Sequence, residues 1–268
     1  MAPEYRHLIV ESEAEIGWVS INRPGDRNSL NTPLMAELHL ALEQMEAAGL
    51  RAVVFTGAGQ EYFIGGADGI EMIQCSPHEA QAFSRRVQAL CERLEASPLI
   101  LLAAINGLCF GGGYEFALAC DLRVAAPEAR IGLPETKVGI IPGGGGTQRL
   151  PRLVGLGLAM EMVLSGRLYK GPQAAAMGLV NRCAPPGQLK EAARELLAEV
   201  LRQPQHALSH AKAALRASQR GGLEQGQMAE SAEFARCFEQ GFFVELMRRQ
   251  LKEGLLKTTA KLPAGFLD

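Results

Sequence analysis

Three consecutive glycines, Gly111-Gly112-Gly113, stand between an apolar β-type run at 99–105 and the helical run Phe116-Ala117-Leu118-Ala119. A strand that passes through glycine into an apolar helix belongs in a layered α/β protein whose sheet is covered on both faces. The junction also leaves unpaired backbone N–H groups at the positive end of a helix, a place suited to negative charge. A tight packing turn needs one or two glycines, so the third favours a ligand-facing role over a purely structural one. Glu115, in the first turn of that helix, reads either as a carboxylate complementing the helix dipole or as a reacting group.

The same alternation runs along the first half of the chain. Residues 5–11 and 15–21 are β-type runs around an acidic turn and predict a hairpin, ended by Asn22-Arg23-Pro24-Gly25-Asp26. Thr32 as N-cap and Pro33 as first helical residue open a helix whose Leu34, Leu38, Ala41, Leu42 and Met45 recur at helical spacing up to Gly49. A strand at 52–56, a helix at 77–96, the strand at 99–105, a helix at 112–119 and a strand at 121–125 follow. From about residue 147 the pattern is helical, at 147–154, 156–164, 172–177, 188–202, 205–219 and 223–257 with a break near Gly241, and only 179–183 looks extended. This predicts an α/β core over residues 1–190 and a helical C-terminal region over 191–268, apolar enough on one face to pack on the core or on another subunit.

Several function classes fall away on charge and motif. Against 29 acidic residues there are 27 Lys and Arg, a net charge of −2 that offers no basic surface for nucleic acid or an anionic membrane. The six cysteines form no C-x-x-C pair and read as reduced core thiols. An acidic N-terminal stretch and the lack of an 18-residue apolar run predict a cytoplasmic protein without a leader or a membrane span. Gly57-Ala58-Gly59 has Tyr62 where the dinucleotide fingerprint requires a third glycine, so it reads as a turn. His206 and His210 lie four apart on a helix but gain no third ligand, which leaves no metal site to expect. Neither a nucleophile elbow nor a phosphate-binding lysine loop is present.

A second carboxylate is harder to dismiss. Glu135 stands in Ile131-Gly132-Leu133-Pro134-Glu135-Thr136, just ahead of the run Gly143-Gly144-Gly145-Gly146. Burying a carboxylate among apolar residues is costly unless it has a task. Two such carboxylates around an anion-stabilising turn suggest acid–base chemistry at a carbon next to a carbonyl. Phe63-Ile64-Gly65-Gly66-Ala67-Asp68 supplies a further small-residue turn after a β-type run, where another N–H can face a ligand.

Taken together, FIGGAD at 63–68, AAINGLCFGGGYEFALACDLRVAA at 103–126 and GLPETKVGIIPGGGGTQRLPRLVG at 132–155 resemble the crotonase superfamily, whose best-known members are the enoyl-CoA hydratases. The resemblance extends over about residues 8–220. It implies a crotonase-like α/β spiral of ββα turns with a C-terminal helical trimerisation region, assembled as a homotrimer or homohexamer. It also implies that the N–H groups of Ala67 and Gly112 form an oxyanion hole for a thioester carbonyl, that Glu115 and Glu135 are the catalytic pair, and that Gly143 helps hold the attacking water. Asp68, Gly69, Ile70 and Arg27 complete the implied substrate-binding set. Many hydratases carry a lysine at the position of Ile70, so the CoA phosphates must rely on other basic groups, Arg27 being one candidate, unless the acyl group arrives differently attached. The implied substrate is an acyl-CoA thioester, with no metal or redox cofactor, since CoA is part of the substrate. The implied reaction is hydration of a trans-2-enoyl-CoA to a 3-hydroxyacyl-CoA. Double-bond isomerisation and dehydration of a branched 3-hydroxyacyl thioester, on CoA or a carrier, are the alternatives within catalysis. A non-catalytic binding protein on the same fold, for instance one that takes RNA, is disfavoured by the charge and by the paired glutamates.

Overall fold

Apolar runs of four to six residues, too short for helices, build the core as strands. The computed structural model describes residues 5–258; residues 1–4 and 259–268, the ends of the two predicted regions, lie outside the described residues. β1 (Leu8–Glu13) and β2 (Ile16–Ile21) form the expected antiparallel hairpin. In order there follow α1 (Thr32–Ala47), β3 (Ala52–Gly57), β4 (Tyr62–Ile64), α2 (Gly69–Met72), α3 (Pro77–Ala96), β5 (Ile100–Ile105), β6 (Leu108–Phe110), α4 (Gly112–Ala119), β7 (Leu122–Ala125) and β8 (Arg130–Gly132). The chain continues with α5 (Gly146–Val154), α6 (Leu156–Ser165), β9 (Tyr169–Lys170), α7 (Gly171–Ala176), β10 (Arg182–Cys183), α8 (Leu189–Val200), α9 (Gln205–Ala217), α10 (Leu223–Arg236) and α11 (Phe242–Lys252).

Two sheets result, one ordered β1-β2-β3-β5-β7-β10 and the other β4-β6-β8-β9. From β2 to β10 the first sheet is parallel, and so are β4, β6 and β8 in the second. The successive pairs β3-β4, β5-β6 and β7-β8 each give one strand to either sheet, and helices carry the chain back between them. That is a spiral of ββα turns, the fold the crotonase resemblance implies. β5 lies central in the larger sheet with all six residues buried, which explains its uninterrupted apolar sequence. Asparagines tie adjacent turns at their corners. The Asn106 side chain accepts from Gly57 N at 3.0 Å and donates to the carbonyls of Gly57 and Gly59, while Asn28 donates to those of Ala58 and Tyr62.

One cap differs from expectation. Asn31, in extended conformation, caps α1 by accepting from Leu34 N at 2.9 Å, and Thr32 is already helical. The Thr32 hydroxyl is committed elsewhere, to Glu71 of α2.

The chain divides into two compact units, Met1–Arg202 and Gln203–Asp268. α8 falls in the first, where it packs on β5 and β7. In the second, α9 packs on α10, with His210 Nδ1 2.7 Å from Glu233 and His206 edge-on to Phe242. Both histidines are thus occupied by neighbours within their own unit. Among the described residues no helix is long and apolar enough to cross a membrane.

Candidate active site

Ala67, Gly112 and Glu135 are far apart in sequence but follow β4, β6 and β8 by two or three residues each. Those strands are adjacent and parallel, so their C-terminal exits lie along one edge, where open α/β sheets gather their ligand-binding loops. The exits are also bonded to their neighbours. Gly111 N donates to Gly132 O at 3.1 Å, and Leu30 forms a parallel bridge with Ala67.

Each of the three glycines at the head of α4 has its own reason. Gly111 adopts φ 54 and ψ −130, which a side chain disfavours. A methyl group on Gly113 would be driven into the Ile64 carbonyl oxygen of β4. A methyl group on Gly112 would stand 3.2 Å from Ala67 N. The two implied oxyanion donors therefore lie side by side, and among the described residues neither N–H has a protein acceptor. Gly112 is the first residue of α4, so its free N–H also lies at the positive end of the helix.

Glu115 is buried one turn further along, 2% exposed. Its Oε1 accepts from Gly144 N at 2.8 Å and from Gly146 N at 2.7 Å. Burial pushes its pKa up, while those N–H groups and the Arg149 guanidinium pull it down. The four-glycine loop thus serves Glu115 directly. A methyl group on Gly144 would come within 2.6 Å of Glu115 Oε2, and one on Gly146 within 3.0 Å of Oε1.

Glu135 is the contrasting partner. It begins the 3-10 turn Glu135–Val138, its Oε1 lies 3.0 Å from where a Gly111 Cβ would stand, and its Oε2 is buried without a hydrogen-bond partner. Burial first, and the nearby Glu115 charge second, raise its pKa from the ordinary 4.5 to about 7. The native protein therefore keeps this proton between about pH 4.5 and 7, where the unfolded chain releases it, and stability falls as pH rises through that window. Each unit of such a rise is worth about 1.4 kcal/mol, less what residual solvent contact screens. Glu135→Gln, which removes the ionisation, should leave stability near pH 4 unchanged and raise it by about 2 kcal/mol near pH 8, read from urea denaturation at the two pH values.

The implied binding residues are distributed differently. The Asp68 carboxylate caps α2 by accepting from Ile70 N at 3.0 Å and from Glu71 N, and it pairs with Arg23 Nη2 at 3.1 Å. Its side chain is thus employed in holding the turn. Gly69 opens α2, and Ile70 on the same helix is 72% exposed. Arg27 is exposed and anchored beside the turn, its carbonyl accepting from Gly65 N at 2.9 Å. The Gly143 carbonyl accepts from Ser84 Oγ at 2.6 Å and Gln88 Nε2 at 2.8 Å, both on α3. No motif marks either α3 residue, nor the N–H groups of Gly144 and Gly146 that meet Glu115. A signal is nevertheless present, because Ser84, Gln88 and Glu95 follow helical spacing alongside the buried stripe of Phe83, Val87, Leu90, Cys91 and Leu94. Among the described residues no group of three His, Cys, Asp or Glu is placed to hold a metal ion.

Known proteins resemble this chain over nearly all its length. The sequence pattern described as enoyl-CoA hydratase/isomerase matches residues 11–254. The short-chain-enoyl-CoA hydratase of Clostridium acetobutylicum is 35% identical over 88% of this chain and 90% of its own. The crotonyl-CoA hydratase of Syntrophomonas wolfei is 33% identical over 98% of this chain and 99% of its own. Human mitochondrial methylglutaconyl-CoA hydratase is 36% identical over 97% of this chain and 76% of its own. Among solved structures, the enoyl-CoA hydratase of Bacillus anthracis superposes with a TM-score of 0.85 at 34% identity, covering 93% of this chain and 97% of its own.

Proposed function

The chain belongs to the enoyl-CoA hydratase/isomerase family, and from that premise we propose that it is an enoyl-CoA hydratase, adding water across the double bond of a trans-2-enoyl-CoA to give a 3-hydroxyacyl-CoA. The observation that carries the reading is the pair of unlike carboxylates beside one glycine turn, Glu115 holding two backbone N–H donors and Glu135 retaining an unpartnered oxygen.

In this mechanism the thioester oxygen accepts from the N–H groups of Ala67 and Gly112, which stabilise the negative charge that appears there as water adds to C3. The ionised Glu115 takes a proton from that water. Glu135, protonated over much of the range below about pH 7, delivers its proton to C2. Exchange of one proton between the carboxylates then restores both. Gly143, fixed by Ser84 and Gln88, borders the water. The scheme asks for no metal or redox group, and CoA enters as part of the substrate.

The reaction is tested by following loss of the conjugated enoyl-thioester absorbance over straight and branched acyl-CoAs. Absorbance loss with formation of the 3-hydroxy product supports the reading, and migration of the double bond without water uptake overturns it.

Arg27 is the proposed partner for the CoA phosphates, taking the place of the lysine that Ile70 lacks. Arg27→Ala should raise KM about five- to tenfold with kcat unchanged, because one exposed ion pair, worth ~1 kcal/mol, disappears equally from ground and transition states. Steady-state kinetics on CoA and pantetheine thioesters checks this, because a thioester without the nucleotide should not feel the substitution.

We further propose a homotrimer or homohexamer. The helices α10 and α11 and the turn between them expose Phe234, Phe238, Phe242 and Phe243, whose rings form edge-on contacts but remain between 42% and 66% exposed. Light scattering should report three or six chains, and a monomer at all concentrations rules the assembly out.

A further inference from the structure

The loop that serves Glu115 is itself held from outside. Arg149 on α5 donates through Nη1 to Gly144 O at 3.1 Å and through Nε to Glu95 Oε1 of α3 at 2.7 Å. The guanidinium lies so close beneath the loop that a methyl group on Gly145, which has φ 107, would overlap it. Gly144 is therefore bonded on both sides, with its carbonyl on Arg149 and its N–H on Glu115. We propose that Arg149, oriented by Glu95, is a positioning residue for Glu115: it fixes Gly144 so that the N–H groups of Gly144 and Gly146 stay aimed at the carboxylate, and it puts a cation behind the loop. The inference rests on Glu115 being the base of the proposed hydration.

Two physical effects act in the same direction. An N–H donor aimed at a carboxylate favours its ionised form, and so does a cation at short range through a buried medium. The other groups around Glu115 do not supply this. On α3 the Cys91 thiol lies beside Glu115 and is kept neutral by burial, while Glu95 lies against Arg149, and Glu135 faces Glu115 from the turn after β8. β4 and β6, which also pack on α4, carry as titratable groups Tyr62, beside Glu61 and Arg27, and the buried thiol of Cys109, beside Cys120 and Arg123. Arg123 is engaged at the far end of α4, on the carbonyls of Ala117 and Cys120. Arg149 is thus the cation that favours the charged form of Glu115.

The test is the pH profile of kcat for a short trans-2-enoyl-CoA in Arg149→Met, Arg149→Lys and Glu95→Gln, with Glu115→Gln as reference. Arg149→Met should lower kcat about tenfold, leave KM unchanged and move the acidic limb up by about one pH unit, as expected for the removal of one charge-assisted hydrogen bond. Glu95→Gln leaves the cation uncompensated and should move the same limb down. Arg149→Lys keeps the charge without the two-pronged geometry, so the limb should return toward its original position while kcat recovers only in part. These opposite displacements are foreign to a residue that merely stabilises the fold. A loss of kcat with the acidic limb unmoved in both Arg149→Met and Glu95→Gln overturns the proposal while leaving the base assignment standing. Should Arg149→Met fail to fold, the charge-neutral Arg149→Met/Glu95→Gln pair decides, an upward limb supporting the proposal and an unmoved one overturning it. An acidic limb and turnover that survive in Glu115→Gln overturn instead the reading of Glu115 as the base.

Discussion

Glu115→Gln should lower the hydration turnover by roughly 100- to 10,000-fold, and Glu135→Gln by a comparable factor. The substitutions are clean because the two side chains are held in different ways. A glutamine at 115 can still offer its amide oxygen to Gly144 N and Gly146 N, so the loop keeps its anchor and only the proton-accepting charge is removed. At 135 the orphaned oxygen has no partner to offend. If the carboxylates act as a unit, the double variant should be little worse than the poorer single. KM should move little, because neither carboxylate is asked to hold the CoA portion. Single-turnover and steady-state rates measured near pH 6 and pH 8 check the division of roles. Near-normal hydration in either variant defeats it, and so does double-bond migration that survives one substitution and is abolished by the other.

The same pair explains a conflict between stability and activity. A carboxyl group with one oxygen left unpartnered and a pKa pushed to about 7 costs the fold stability at neutral pH, and the same properties make it able to give a proton to carbon there. A Glu135→Gln protein that is both more stable near pH 8 and nearly inactive is the joint signature. Loss of activity with loss of stability would point instead to disturbed packing.

Much of this site can be read from the sequence, but not its convergence. The long elements are clear because their patterns repeat: α3 has Ser76 and Glu79 as a capping box and an apolar stripe, and β5 is apolar at every position. The strands that matter most to the site, β4, β6 and β8, are three residues each and complete barely one alternation. β6 lies inside the glycine-rich stretch, where its sequence Leu108-Cys109-Phe110 reads as part of a turn. Only pairing with parallel neighbours makes these segments strands, and that pairing is non-local. Hence the three motifs can be recognised singly, and from resemblance, while the common edge that unites them emerges from the sheet. The cap of α1 is ambiguous for a local reason, since Asn31 and Thr32 both suit an N-cap and the Thr32 hydroxyl has a distant partner in Glu71. The support of the glycine loop by Ser84, Gln88 and Arg149 leaves no motif, because each acts through a backbone carbonyl, and the helical spacing of Ser84 and Gln88 places them on one face of α3 without naming what they hold.

Gly112→Pro should reduce turnover by about 100- to 1000-fold, the usual loss on removing one oxyanion donor. Proline is tolerated at the first position of a helix, where its missing N–H has no intrahelical partner to lose, so α4 itself has little reason to unfold. The substitution also brings in a Cβ, and that atom would stand 3.2 Å from Ala67 N, crowding the second donor. Gly112→Ala separates the two effects, for it adds the same carbon and keeps the N–H. An approach that tight is relieved by shifts of a few tenths of an ångström, so the alanine variant should lose only about tenfold, roughly 1.4 kcal/mol of displaced geometry. The ratio of the two turnovers, measured on one enoyl-CoA with folding checked by circular dichroism, then isolates the hydrogen bond. Equal losses in the two variants would assign the effect to crowding alone and remove Gly112 N–H from the mechanism. A larger loss for proline, falling on kcat while KM stays near its original value, is what a donor used only when charge gathers on the thioester oxygen must produce.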